Sequence, residues 1–162
     1  MKRETRLDKF KQATNINTIR QTNNMKQPWY QDGLQFECAG CGGCCTGAPG
    51  FVWVTPTDIT RISKLLGMSE PDFESQFTRT VAGVRTSLKE HLNGDCYFFD
   101  PITRHCQIYD VRPAQCRTWP FWSSVLESRK TWRQTAQRCP GCNQGKLYSI
   151  EEIEKRRTEF DV

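Results

Sequence analysis

Apolar positions in this chain come in short bursts separated by polar stretches and turn residues. Residues 1–27 are polar and charged with no sustained apolar period, which predicts a disordered or loosely helical extension. The folded part is expected over residues 28–162, opening at Pro28 with Trp29 and Tyr30 on its edge. Asp32-Gly33 is a turn signal ahead of Leu34 and Phe36, and Phe51-Val52-Trp53-Val54 has the bulky side chains of a short strand. Thr55-Pro56-Thr57-Asp58 reads as a helix start, with Thr55 at the cap and Pro56 at the first helical position. Ile59, Ile62, Leu65 and Leu66 then fall on one core-facing side, and Gly67 stops the helix. A shorter helix begins at Ser69 and offers Phe73 and Phe77 to the core at a four-residue spacing.

Residues 80–92 alternate weakly, and Asn93-Gly94 is a hairpin signal. Two short antiparallel strands are expected next, entered by Cys96 and Cys106, and their pairing would bring those thiols together. Pro113 is placed to start a short helix through Cys116, with Trp119-Pro120-Phe121-Trp122 ending it as an aromatic wall. A polar helix carrying Trp132 is expected over residues 128–137, then a knuckle at Cys139-Pro140-Gly141-Cys142. Ser149 with Glu152 forms a capping box on a last amphipathic helix. These elements predict an α+β fold: a small, irregular, cysteine-rich metal-binding domain of short helices and short antiparallel strands.

Composition sharpens this picture. At 162 residues the chain suits one domain, but only 36% of residues are hydrophobic and the mean hydropathy is -0.69. The core should be thin, and nine cysteines are available to cross-link it. Disulfides belong to oxidising compartments, and the first residues lack the apolar stretch of a secretory signal, so a cytoplasmic location is expected. No apolar run approaches the roughly 20 residues of a membrane helix. The net charge of +5 says little about partners, because seven of the 23 basic residues lie in the first 26 positions. Lys155-Arg156-Arg157 reads as a solvated helix end rather than a nucleic-acid contact.

The chemistry concentrates in residues 38–45, Cys-Ala-Gly-Cys-Gly-Gly-Cys-Cys, with four thiols and three glycines in eight positions. Thiolates are soft donors that select zinc, copper(I) or iron-sulfur centres over hard cations. The thiols fall into three groups: Cys38, Cys41, Cys44 and Cys45; Cys96, Cys106 and Cys116; Cys139 and Cys142. A zinc ribbon pairing Cys38/Cys41 with Cys139/Cys142 has an unusually long gap and leaves five cysteines over. The Cys-x2-Cys-x2-Cys spacing also opens a bacterial ferredoxin ligand run, but the Cys-Pro that should complete it lies far away at Cys139-Pro140. Adjacent Cys44 and Cys45 should diverge, so the run serves more than one centre or keeps one thiol in reserve. His91 and His105 are secondary ligand candidates, and Arg112 and Arg117 are candidates to balance thiolate charge.

Three stretches together resemble a bacterial cysteine-cluster family described as a zinc- or iron-chelating domain and named for the signature Cys-x-x-Cys-x-x-Cys-Cys. They are residues 38–45; Gly94-Asp95-Cys96-Tyr97-Phe98-Phe99; and residues 106–121, which include Arg112-Pro113-Ala114-Gln115-Cys116-Arg117. The resemblance implies that zinc or iron is held by the nine cysteines, with an iron-sulfur cluster as one alternative. It also implies protein N-methylation by association, since some larger members are described as flagellin N-methylases. The chain has no glycine-rich loop between strand and helix of the kind that binds S-adenosylmethionine, and no visible catalytic constellation. The readings left open are a structural metal protein, a redox or electron-transfer iron-sulfur protein, and a methylase-like enzyme.

Overall fold

A computed structural model describes residues 27–160, and the polar extension expected at 1–27 lies almost wholly outside them. The chain divides into compact units between Gln31 and Asp32. Of the first, residues 27–31 are described; there Trp29 and Tyr30 meet edge to face at 5.3 Å.

The second unit is α+β. It begins with β1 (Leu34–Phe36), followed after the cysteine run by α1 (Pro56–Leu66) and α2 (Glu70–Phe77). A hairpin of β2 (Thr78–Val81) and β3 (Arg85–Leu88) comes next, then the two-residue strands β4 (Phe99–Asp100) and β5 (His105–Cys106). Short helices α3 (Ala114–Thr118) and α4 (Ser123–Leu126) lead to α5 (Arg129–Arg138), β6 (Cys142–Tyr148) and α6 (Ile150–Glu159). All strand pairing is antiparallel and two-stranded: β1 with β6, β2 with β3, β4 with β5.

Helix α1 starts where its sequence says. Thr55 and Asp58 cap each other reciprocally, Pro56 needs no amide partner at the first position, and Gly67 closes the helix at φ 66°. Its buried side differs from expectation. Ile59 and Ile62 are buried, but Leu65 and Leu66 are exposed, and Asp58 and Ser63 take the inner face instead. Burying Asp58 requires partners, and it accepts from Thr55 N, Thr55 Oγ1 and, at 3.4 Å, Arg117 Nη1.

The segment expected to be a strand at Phe51-Val52-Trp53-Val54 is irregular, although Val54 N donates to Thr86 O and Leu88 N to Val52 O. The hairpin turns at Ala82 and Gly83, both at positive φ, and Asn93-Gly94 closes only the isolated Glu90–Cys96 bridge. Strand β6 was not expected. It is polar and contains a glycine, and its pairing with β1 jumps from Leu147 opposite Gln35 to Cys142 opposite Phe36, a bulge carrying Asn143 and Gly145 at positive φ.

Two apolar clusters hold the unit together. Val54, Ile59, Ile62, Phe73, Leu88, Phe98 and Ile108 form one, with Cys96 and Cys106 packed on its edge. The other is aromatic and centres on fully buried Phe121, which meets Phe36, Trp132 and Tyr148 at centroid distances of 6.1, 6.2 and 5.0 Å. Residues of both clusters line the cavity into which the cysteine run folds.

Candidate metal centre

The run is held from two sides. At its entrance Glu37 N donates to Gly141 O at 3.1 Å, and the approach is so close that no Cβ could stand at Gly141. In its middle Gly40 and Gly42 take φ of 62° and 69°, which turn the chain back on itself. The Phe99 ring lies against Gly42, and Arg104 Nε and Nη2 donate to Cys41 O at 3.0 and 2.6 Å. At its exit Cys96 N donates to Cys45 O at 2.8 Å. The β4–β5 hairpin and the Cys139–Cys142 knuckle thus clamp the run between them.

Folded this way, the run divides its thiols. Cys38, Cys44 and Cys45 line a cavity of about 560 Å³ together with Cys96, Cys106 and Cys116. Cys41 turns elsewhere: its Sγ receives Gly43 N at 3.5 Å, and a Cβ on Gly43 would stand 3.5 Å from that sulfur and 3.4 Å from Arg138 O. Cys41 therefore lies on the side of the knuckle. There Cys139 Sγ accepts from Trp119 Nε1 at 3.5 Å, and Cys142 is buried.

All nine cysteines are free thiols. Among the described residues no three Cys, His, Asp or Glu side chains stand in a geometry that could already hold a metal ion. The cavity gathers donors without closing them.

Its electrostatics follow from that gathering. Cys44 and Cys45 sit 3.9 Å apart, Sγ to Sγ. Their hydrogen bond lowers Cys44 to about 7, helped by the Arg112 guanidinium, and pushes Cys45 well above the ordinary thiol range. Burial raises Cys96 to about 11, and burial also raises Cys106 and Cys116, the last reinforced by the thiols around it. Burial and the neighbouring Cys139 bring Cys142 to about 12. One thiolate near neutral pH, shared within the Cys44/Cys45 pair, is what this environment favours.

Both arginines expected near the thiols line the cavity, and Arg112 is the one whose charge acts on Cys44. It stacks on the Tyr109 ring at 3.7 Å and donates to Tyr109 O, which fixes its charge beside Cys44. Arg117 is occupied by Asp58, Glu159 and Arg112 O. Trp119 and Trp122 line the cavity as an aromatic wall, whereas Phe121 belongs to the core. His91 stacks on Tyr97, and His105 lines the cavity. Two contributors carried no signal in the sequence: Arg104, whose positive φ of 58° turns it toward the run, and Tyr109, raised first by its hydrogen bond with the Cys38 thiol.

The chain is 34% identical over 102 residues to an uncharacterized protein of Methanocaldococcus jannaschii, a match that covers 63% of this chain and 53% of the relative. It thus spans about half the length of that relative. No solved structure matches it. Among the described residues no helix is long and apolar enough to cross a membrane. A family profile matches residues 37–143, from the run to the far end of the knuckle, and by that match the chain belongs to the CxxCxxCC family, described as a "Putative zinc- or iron-chelating domain".

Proposed function

We propose that this protein chelates zinc or iron through the thiols of the cavity, with Cys38, Cys44, Cys45, Cys96, Cys106 and Cys116 as the donors. The observation that carries the reading is their convergence: two groups far apart in sequence, at 38–45 and 96–116, deliver six free thiols to one cavity of about 560 Å³. Six soft donors suit zinc or iron and suit magnesium or calcium poorly. Arg112 offsets part of the negative charge that thiolate ligation creates. Cys41, Cys139 and Cys142 form a separate group on the knuckle side.

The metal supplies cross-links that a thin core lacks, and ligation draws the thiols inward from their present spacing. The glycines at 40 and 42 give the run the freedom to follow. Free thiols are at home in a reducing compartment, so the cytoplasm is the location we assign.

An iron-sulfur centre with a redox role is the second reading. It is favoured by number and size, since six thiols exceed the four that one tetrahedral zinc takes and the cavity is larger than a single ion needs. Protein N-methylation rests on family resemblance alone, and calorimetric titration with S-adenosylmethionine tests it.

Elemental analysis with visible spectroscopy on anaerobically purified protein decides the main question. Colourless, zinc-loaded protein supports the first reading; brown protein that bleaches on reduction supports the second. Protein that retains neither metal and takes up neither on titration refutes both.

A further inference from the structure

The β4–β5 hairpin places His105, an exposed residue, on the lining of the thiol cavity. His105 Nδ1 lies 2.7 Å from Thr103 O. A carbonyl oxygen only accepts, so Nδ1 must carry the proton and Nε2 of the neutral ring keeps the lone pair. This is the arrangement by which metal-binding histidines are commonly fixed, one nitrogen donating to a backbone carbonyl and the other left for the ion.

The second observation is where Nε2 stands. His105 lines the cavity with the six thiols, and its Nε2 is 3.8 Å from the point a Cβ on Gly40 would occupy, between Cys38 and Cys41 in the run. The position is not incidental to a loose turn. Asp100 Oδ1 accepts from Ile102 N and Thr103 N, Asp100 Oδ2 accepts from Thr103 Oγ1, and Arg104 clamps the turn to Cys41 O. The same backbone that pins the ring to Thr103 pins the ring to the run.

We propose that His105 Nε2 is a nitrogen ligand of the cavity metal, making the centre a mixed thiolate-imidazole site rather than an all-thiolate one. The inference rests on the reading that the cavity binds zinc or iron. A neutral imidazole in place of one thiolate removes one negative charge from the site. With iron it shifts the reduction potential upward, as imidazole ligation does in other iron-sulfur centres.

The chain has two histidines, so the test carries its own control. The full chain, labelled with 15N in histidine, is titrated with zinc under reducing conditions. Its imidazole nitrogens are followed by long-range 1H-15N correlation. His105 Nε2 is expected to move from the position of a bare lone pair to that of a metal-bound nitrogen while His91, stacked on Tyr97, stays put. In parallel, His105→Asn should hold zinc at least as weakly as the roughly 10- to 100-fold loss that removing an outer-shell partner causes. Zinc that binds with His105 Nε2 unmoved overturns the ligand assignment and leaves thiol chelation standing. Failure to bind zinc or iron at all overturns both.

Discussion

Gly42 is the position at which the fold of the cysteine run can be tested most sharply. Its φ of 69° is one that an alanine adopts only at a cost of about 1–2 kcal/mol. A Cβ there would also meet the Phe99 ring, with Cζ at 2.8 Å, and Arg104 O at 3.3 Å. Phe99 is 4% exposed and packed in place, so the overlap adds about 1–3 kcal/mol. Gly42→Ala should therefore destabilise by about 2–5 kcal/mol, which for a domain of this size lowers the melting temperature by roughly 10 °C. Two controls separate the contributions. Gly67 has φ 66° with nothing within 4 Å, so Gly67→Ala carries the backbone cost alone, about 1–2 kcal/mol. Gly50 has open space and no positive φ, so Gly50→Ala should be neutral or stabilising by up to about 1 kcal/mol. Thermal melts of the three variants under one set of reducing conditions give the series. Equal melting temperatures for Gly42→Ala and Gly67→Ala would refute the packing of the β4–β5 hairpin on the run.

Chelation should lower the melting temperature of the metal-loaded protein: an ion present at 100 times its dissociation constant stabilises by about 2.7 kcal/mol, and an unchanged melt on adding excess chelator counts against any stabilising role. Metal-free protein should lose stability in alkali. Cys96 is raised from 9.0 to about 11, so burying its neutral form stabilises fully below pH 9, and that contribution is lost as pH rises through 11; Cys96→Ala should flatten this stretch of a pH-melt profile. Asp58→Ala removes the reciprocal cap of α1 and one partner of Arg117, and should cost about 2–3 kcal/mol in urea denaturation. Asp58→Asn keeps an acceptor for the Thr55 amide and should cost less; equal losses would argue against the cap.

Much of the scaffold was legible because local rules decided it. Thr55 and Ser149 sit at the caps their sequence marks, the helices expected to begin at Ser69 and Ser128 are capped by those residues, and Phe73 is buried as its spacing requires. The failures lie where tertiary partners decide. Leu65 and Leu66 continue an apolar stripe but run past the cluster that buries Ile59 and Ile62, while Asp58 is drawn inward by Arg117, 59 residues away. Strand β6 has neither alternation nor β-branched residues, and exists because β1 lies beside it. In the site, adjacency in sequence suggested that Cys44 and Cys45 diverge. The structure instead brings Cys44 and Cys45, their sulfurs 3.9 Å apart, to the cavity together with Cys38, and leaves Cys41 out of the lining.

The protonation of the cavity explains how one fold can gather so many thiols and still select what it binds. Six thiolates in 560 Å³ would repel one another strongly; desolvation raises Cys96, Cys106 and Cys116 and the neighbouring thiols add to it, while Cys45 is raised first by its hydrogen bond with Cys44. The folded chain therefore keeps most of the set neutral, and neutral thiols pack against Phe98 and Ile108 as small apolar groups. Each proton becomes a barrier that an incoming ion must displace. A hard cation that gains little from sulfur cannot offset that displacement, whereas zinc or iron can, and each proton released makes binding about tenfold tighter per pH unit. Cys44, lowered to about 7, is the first donor to be available, so uptake should begin at the Cys44/Cys45 pair, and its order is testable by comparing zinc on-rates of Cys44→Ser and Cys116→Ser at pH 7. Slower uptake in Cys44→Ser than in Cys116→Ser is the expected result. The reverse order would show that protonation does not set the sequence of ligation.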